Sequence, residues 1–232
     1  MNEAIAKAIA DRTIAAVFGY QNPYDLAGVL EKFAFDIRLP KQVQDHSTGE
    51  ATWAQSTHPG KFLTLTNADT KPAGFWKKPK RQFNTMDEVL QAWMQINDAV
   101  TERQLDSLNV VQSDNVYQSR NVFRSLDINE SENVLFCDGI STGGDHIIAC
   151  QRSKNLRNCI RVEDSKNIQN SFSIIWSKNV KDSYFLSDVS DVQDSIFCSH
   201  VSNVRYMVAN VQLDEAEYLR VKAMVIRWIL ST

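Results

Sequence analysis

The sequence has little glycine, proline and cysteine. Among its 232 residues there are 8 glycines, 5 prolines and 4 cysteines. Low glycine and proline exclude a collagen-like chain and a flexible linker protein. The cysteines have no CxxC spacing and no paired histidines, so a zinc site is not expected and a reduced, cytoplasmic protein is favoured.

Charge and hydropathy exclude further classes. Lysine and arginine total 25 and aspartate and glutamate total 28, for a net charge of −3. This balance excludes a strongly basic nucleic-acid binder and an acidic disordered tail. No run of 18 apolar residues is present, so a transmembrane helix is not expected. Residues 1–7 lack the apolar region of a secretory signal peptide.

Serine and asparagine are abundant in the second half, where they form a repeat. Ser-Lys-Asn followed by an aliphatic residue begins at Ser153, Ser165 and Ser177, 12 residues apart. The frame extends over residues 107–212 as nine units, one of them a short unit of ten residues at 143–152. The first position is mostly serine, the third is Asn or Asp, the fourth and tenth are aliphatic, and the seventh is small.

A β-solenoid of 12-residue coils explains this pattern best. Twelve residues are too few for a helical hairpin, but they form one coil of two short strands and two bends, stacked about 4.8 Å from the next. The Asn/Asp column fits a bend, because these residues tolerate left-handed backbone angles. The alternative is a three-sided left-handed helix of hexapeptides. There the small residue stands two positions before the aliphatic one, whereas here it stands three before.

The flanking segments indicate an α+β head domain over residues 1–106 and a closing helix over 213–232. Helices are expected at 2–17, 23–34 and 86–101, with strands at 35–43 and 61–66 and a polar loop over 44–60. Asn22 is the expected N-cap of the second helix, and Thr85 opens a capping box before the third. The last helix is expected either to cover the open solenoid end or to dock on a neighbouring subunit.

One solenoid column is a candidate subunit interface. The eighth position of successive coils is large and apolar, with two phenylalanines beside it and a tryptophan in the last helix. Stacked apolar side chains, if exposed, mark an interface, and they predict a homo-oligomer, most simply a trimer, packed along its rods. The alternative is that this column belongs to the core. The candidates are Ile160, Phe172, Tyr184, Phe185, Ile196, Phe197, Val208 and Trp228.

Two groups of basic residues are candidates for contact with a partner. Lys77, Lys78, Lys80 and Arg81 lie among Phe75, Trp76 and Phe83, and Lys154, Lys166 and Lys178 recur in one solenoid column. Basic residues among aromatics can bind single-stranded nucleic acid, but the surrounding domain is not basic overall. A solvated loop or a contact with an acidic protein is therefore expected. Stacked lysines repel one another unless a partner or nearby acids neutralise them.

No group of residues indicates catalysis. His146 follows Gly143, Gly144 and Asp145, and in hexapeptide acyltransferases a loop histidine acts as a base. An irregular turn is the favoured explanation of the Gly-Gly-Asp stretch, because the hexapeptide phase is wrong and no partner for the histidine is identifiable. The cysteines mostly occupy inward positions, where they fill space in the core. We expect a protein that is not an enzyme and that uses no cofactor or metal.

The Ser/Asn-rich short coils of residues 107–212 resemble repeat proteins of bacteriophages and host-associated bacteria. The spacing of the small residues also resembles the right-handed solenoids of insect antifreeze proteins, without their Thr-x-Thr rows. The first resemblance implies a virion component, either a capsid decoration or cement protein or a fibre-like appendage. Its N-terminal domain would anchor on a major capsid or other virion protein. The alternatives are a carbohydrate-binding, adhesive solenoid and a hexapeptide-type acyltransferase. Residues 107–232 carry 13 basic and 15 acidic groups, which disfavours DNA mimicry.

Overall fold

A computed structural model describes residues 3–141, 145–153, 157–163, 169–170 and 172–231. It has the expected class: helices and small sheets, then a parallel β-solenoid, then a C-terminal helix. Neighbouring strands are offset by 12 residues, as Val110 pairs with Val122 and Ile160 with Phe172. The three-sided alternative needs 18 residues per turn and is therefore wrong.

Eight elements precede the solenoid. The first two strands form an antiparallel hairpin, and the other two pair in parallel. The elements are α1 (Glu3–Phe18), α2 (Leu26–Phe33), β1 (Lys41–Gln44), β2 (Ala51–Ala54), β3 (Phe62–Thr64), α3 (Leu65–Asp69), α4 (Met86–Met94) and β4 (Ala99–Thr101).

Local hydrogen bonds explain where these elements depart from expectation. The N-cap of α2 is Asp25, whose carboxylate accepts a bond from the Gly28 N–H at 2.8 Å. Asn22 instead accepts from the Tyr24 N–H at 2.9 Å, which closes a turn before the helix. The expected polar loop contains β2, and the strand expected from residue 35 begins at Lys41. Helix α4 ends seven residues before residue 101, because the chain there extends as β4 beside β3.

The solenoid and its closing elements complete the chain. Its strands are β5 (Gln104–Leu105), β6 (Leu108–Val111), β7 (Asp114–Tyr117), β8 (Arg120–Phe123), β9 (Leu126–Asn129), β10 (Glu132–Leu135), β11 (Asp138–Ser141), β12 (Ile147–Ser153), β13 (Ile160–Glu163), β14 (Phe172–Lys181), β15 (Tyr184–Ile196) and β16 (Ser202–Val208). Strand β17 (Val211–Gln212) reverses direction, and α5 (Glu215–Ser231) follows. No helix in the described ranges is both long enough and apolar enough to span a membrane.

The solenoid turns over residues 109–136 and 179–209 bend at four left-handed residues each, where the repeat had indicated two bends. In the first complete turn these are Asn109, Gln112, Asn115 and Gln118, with φ of 57°, 52°, 65° and 47°. The same spacing of three continues through 121–136 and again through 179–209. A left-handed conformation costs an ordinary residue about 1–2 kcal/mol, and Asn and Asp tolerate it best. The Asn/Asp column therefore marks one of four bends.

Polar ladders hold the turns in register. The Ser113 hydroxyl accepts from the Ser125 N–H at 3.0 Å, and the Ser125 hydroxyl accepts from the Cys137 N–H at 3.1 Å. Each serine also donates to the carbonyl two residues earlier. Asn121 donates to Asn133 at 2.9 Å in a parallel side-chain ladder. The serines are thus hydrogen-bonded links between turns as well as small fillers.

The unit expected to have ten residues belongs to a turn of 13. Val134 pairs with Ile147 and Asp138 with Gln151, an offset of 13, and the offset returns to 12 at Ile160. Each coil has four sides of three residues. After the 13-residue turn, each position of the sequence motif lies one side further round the coil than before. As a result, the valine column of the early turns continues through Ile147 into Cys159.

Two separate apolar cores follow from this register. One lies inside the solenoid, and the other lies between the outer wall and the helices. The second core is built on a column that we call the apolar ridge: Val111, Phe123, Leu135, Ile148, Ile160, Tyr184, Ile196 and Val208. Buried residues of α1, α2 and α5 cover it. Residues 1–106 thus divide between helices along the rod and the strands near its first turns.

Candidate docking surface

The eighth-column residues are covered by this chain's own helices. Ile160 and Ile196 have no exposed surface, and Tyr184 is 1% exposed. The Tyr184 hydroxyl donates to the Val17 carbonyl of α1 at 2.9 Å, and its ring lies 5.9 Å from that of Phe18. This part of the predicted subunit interface is therefore an intramolecular one, because α1 occupies the place assigned to a second copy.

The remaining candidates lie beside α5. Phe185 and Phe197 stack with centroids 4.5 Å apart and parallel rings, and the Trp228 ring is 6.1 Å from Phe185. Phe197 and Trp228 are about half exposed. Val208 is half-buried and packs against the second core. These side chains pack α5 against the last turns, so the contacts that they make lie within one chain.

Several predicted residues cannot be placed. Lys154 and Lys166 lie outside the described residues, and for Phe172 and Lys178 only the backbone, in β14, is described. The basic column of the solenoid therefore stays a prediction, as does any contact that it makes with a partner.

Two polar side chains orient the His146 ring. Its Nδ1 lies 2.9 Å from the Asp145 carboxylate and 2.8 Å from the Asn158 amide nitrogen. Burial lowers the pKa of His146, against the opposing effect of Asp145. Cys137, Cys159 and Cys198 are buried and unbridged, and burial raises the pKa of the Cys198 thiol. In the described ranges, no three His, Cys, Asp or Glu side chains are grouped as metal ligands would be.

Residues 71–94, which we call the arm, expose a continuous run of apolar and basic side chains. Every residue from Pro72 to Asp87 is exposed, and α4 has no buried residue. An ordinary surface helix buries an apolar stripe against its own protein. The stripe of α4 faces outward instead, with Met86 68%, Leu90 48%, Trp93 53% and Met94 56% exposed.

The predicted basic run lies in this arm beside the apolar helix. Lys77, Lys78, Lys80 and Arg81 are all exposed. Lys78 lies 5.0 Å above the Phe75 ring, and the Arg81 guanidinium lies 4.3 Å from the Phe83 centroid. Such cation–π contacts keep a charge over an apolar face and leave both available to a partner. The arm thus presents positive charge and aromatic surface together.

The arm is ordered by its own capping interactions. The Thr85 hydroxyl accepts from the Glu88 N–H at 3.3 Å, and the Glu88 carboxylate accepts from the Asn84 N–H at 2.6 Å. Arg81 donates to the Glu88 carbonyl at 2.9 Å, which ties the basic run to the first turn of α4. The expected capping box therefore forms, with Asn84 in place of Thr85 as the reciprocal donor.

A buried carboxylate fixes the base of the arm. Asp98, whose side chain is 3% exposed, lies 2.8 Å from the Lys61 ammonium and 3.0 Å from the His46 Nε2. Lys61 also donates to the Gln95 carbonyl, the residue after α4, at 3.1 Å. Burying a carboxylate away from water is costly, and close ion-pair partners offset that cost. These contacts set the direction in which α4 leaves the β3–β4 pair.

Sequence patterns located the basic run and the helix but missed the exposure of the helix face. Val89, Leu90 and Trp93 have the spacing of a helix that packs on its own core. An amphipathic helix has the same pattern whether its partner is in the same chain or in another. Only the fold shows that no element of the described chain covers α4.

Comparison with known proteins gave no match: no family model, no curated protein and no solved structure is significantly similar to this chain.

Proposed function

We propose that this protein is a non-enzymatic structural protein that docks through its arm onto an acidic surface of a larger assembly. The observation that carries the proposal is α4, a nine-residue helix with no buried residue and an outward apolar stripe. Exposed apolar patches of this kind mark interaction sites. The solenoid would act as the rigid body that the arm attaches.

The charge of the arm defines the partner. Residues 71–94 carry five basic and two acidic side chains, in a chain whose net charge is −3. A partner surface with carboxylates around an apolar pocket would pair with Lys77, Lys78 and Arg81 and accept Trp93. Aromatic and arginine side chains are the ones that dominate binding energy at interfaces. A virion is the assembly that the resemblance of the repeat implies.

The direct test is incorporation into particles. Particles purified on a density gradient from cells that carry the gene should contain the protein, measured by quantitative mass spectrometry. The Leu90→Asp, Trp93→Asp double variant should be incorporated at least tenfold less, because it places charge in the apolar contact. Leu219→Asp is the matched control, since Leu219 is 53% exposed on α5, outside the arm. It should be incorporated like the wild type.

Charge reversal separates the two parts of the contact. Lys77→Glu with Lys78→Glu should reduce incorporation, and wild-type binding should weaken as salt rises, because exposed charge pairs are screened. Absence of the protein from purified particles would overturn the virion role. Equal incorporation of wild type and arm variants would overturn docking through the arm.

A further inference from the structure

The first turn of the solenoid has an open edge. Strand β5 pairs only with β7, and β6 pairs only with β8, so neither has a neighbour on its outer side among the described residues. A strand edge of this kind is a template for pairing with another chain. Repeat proteins ordinarily need a capping element at such a position.

Two side-chain ladders also stop at this edge. The Ser107 hydroxyl accepts from the Ser119 N–H at 3.1 Å, and Asn109 donates to the Asn121 oxygen at 3.0 Å. Both bonds point into the solenoid. Among the described residues, no preceding turn supplies a hydroxyl for the Ser107 N–H or an amide for the Asn109 oxygen.

Leucine replaces polar residues at the outer surface of this turn. Leu105 and Leu108 are 60% and 57% exposed. The residues stacked on them in the next turn are Tyr117 and Arg120. A polar substitution at either leucine would leave the bends and the inner columns unchanged, so the repeat does not require leucine here. Two exposed leucines beside unpaired strands indicate a surface that is covered in the working state of the protein.

The rest of the described chain covers this end only in part. The Glu102 N–H donates to the Trp53 carbonyl at 3.4 Å, and Trp53 lines a cavity with Gln104 and Val110. The segment after β2 lies along the flank of the second turn, where Gln55 donates to Asp127 at 2.7 Å. Trp53 lies 5.8 Å from the Arg124 guanidinium on the same flank. Beside Leu108, an open groove of about 520 Å³ runs along the turns, lined by Asp106, Arg120, Glu130 and Glu132 among others.

We infer that two copies of this chain associate end to end through their first turns. A two-fold contact places the same surface on both sides, so the surface must complement itself. This one does, because the leucines can pack on leucines, while Arg120 and the acidic groups of the groove supply both signs of charge. The other end offers a different surface, because β17 pairs there with Met207 and Val208.

The association uses a different surface from the arm, so it goes beyond the proposed docking function. It also replaces the side-by-side trimer that the eighth column had indicated, because helices of the same chain cover most of that column. An end-to-end dimer would carry two arms, and two linked contacts with one assembly bind more tightly than either alone.

Mass in solution tests the inference. Sedimentation equilibrium of the full chain should give twice 26.4 kDa at micromolar concentrations. Leu105→Lys with Leu108→Lys should lower the association constant at least tenfold, with an unchanged circular dichroism spectrum. The matched control is Leu219→Lys with Met224→Lys. These two apolar residues on α5 are 53% and 51% exposed, and the variant should remain dimeric.

Cross-linking provides a second measurement, which detects the contact between two copies without disrupting it. Leu108→Cys should form a covalent dimer on mild oxidation, while Leu219→Cys should not, and the described native cysteines are buried. A monomeric wild type at about 100 μM would overturn the inference. So would dimers that persist in the double leucine variant, or equal cross-linking of the two cysteine variants.

Discussion

The two ends of the solenoid are finished in different ways. At the first turn, β5 and β6 keep a free outer edge with Leu105 and Leu108 exposed. At the last turn, β17 pairs antiparallel with β16, and the Gln212 amide donates to the Arg205 carbonyl at 2.8 Å. Tyr218 of α5 is fully buried against Tyr206, with ring centroids 5.4 Å apart.

The difference shows that the repeat supplies the rod but not its ends. Every turn offers the same backbone groups to the next one, so the last turn requires atoms from outside the repeat. Residues 211–231 provide them at one end. At the other end the chain arrives from β4 at the flank, and a second copy is the element that completes the edge. Solenoids without closed ends expose strands that associate.

The largest expected effect comes from Tyr218 at the closed end. Tyr218→Ala removes a fully buried aromatic ring that links α5 to β16 and the ridge. We expect a loss of about 3–5 kcal/mol in the free energy of unfolding, the range for truncating a large buried aromatic side chain. Urea denaturation followed by circular dichroism measures it.

The control for this change is Leu219→Ala, one residue along α5. Leu219 is 53% exposed, so its loss should change the free energy of unfolding by less than about 0.5 kcal/mol. If the two variants unfold at the same urea concentration, α5 does not close the solenoid in solution. The two ends would then be equivalent.

The asparagine ladder distinguishes interior turns from the open edge. Asn121 has φ of 56°, accepts from Asn109 and donates to Asn133. Asn121→Ala should cost about 2 kcal/mol, because alanine is strained in the left-handed region and the amide bonds are lost. Asn109→Ala meets the same backbone strain, at φ 57°, but breaks one exposed bond in place of two, so it should cost about 0.5 kcal/mol less. Differential scanning calorimetry compares them, and equal losses would contradict an unfinished ladder at Asn109.

The repeat allowed the solenoid to be predicted but not its register. The spacing of Ser153, Ser165 and Ser177 established 12-residue turns, and the Asn column established one bend. Because inward residues recur every three positions, the same motif fits any of the four sides. A sequence unit of ten residues and a structural turn of 13 residues differ by three positions, which is one side of the coil. Only the pairing of Val134 with Ile147 distinguishes the two.

The candidate surfaces were predictable only in part, for a similar reason. The apolar column at Tyr184 and Ile196 indicated something packed on the wall, but nothing local states whether that partner is α1 or a second copy. The same ambiguity hid the exposure of Trp93. Long-range packing decides which element covers the column at Tyr184 and whether any element covers Trp93. Strand or helix periodicity in the sequence contains no information about that packing.

One exposed side chain adds hydrogen bonds at the closed end. Gln212→Ala removes the side chain that bonds the carbonyls of Arg205 and Leu213, at 2.8 and 3.0 Å. We expect a loss of about 1 kcal/mol, because these bonds are exposed. Urea denaturation measures this loss, and a loss as large as that of Asn121→Ala would contradict it. Because the substitution leaves the backbone pairing of β17 with β16 in place, sedimentation should give an unchanged mass.

The smallest effects concern two buried hydroxyls that differ in their partners. The Tyr184 hydroxyl donates to the Val17 carbonyl at 2.9 Å, whereas the Tyr218 hydroxyl is buried with no hydrogen-bond partner among the described residues. Tyr184→Phe should therefore cost about 1 kcal/mol, because the carbonyl loses its donor. Tyr218→Phe should be neutral or raise the free energy of unfolding by up to about 1 kcal/mol, because it removes an unpaired polar atom from the core. Urea titrations of the two single variants give both values under one condition. Both substitutions remove a hydroxyl oxygen from a ring in the same core. Changes of opposite sign in the free energy of unfolding would show that a hydrogen bond stabilises the contact of α1, whereas packing alone stabilises that of α5.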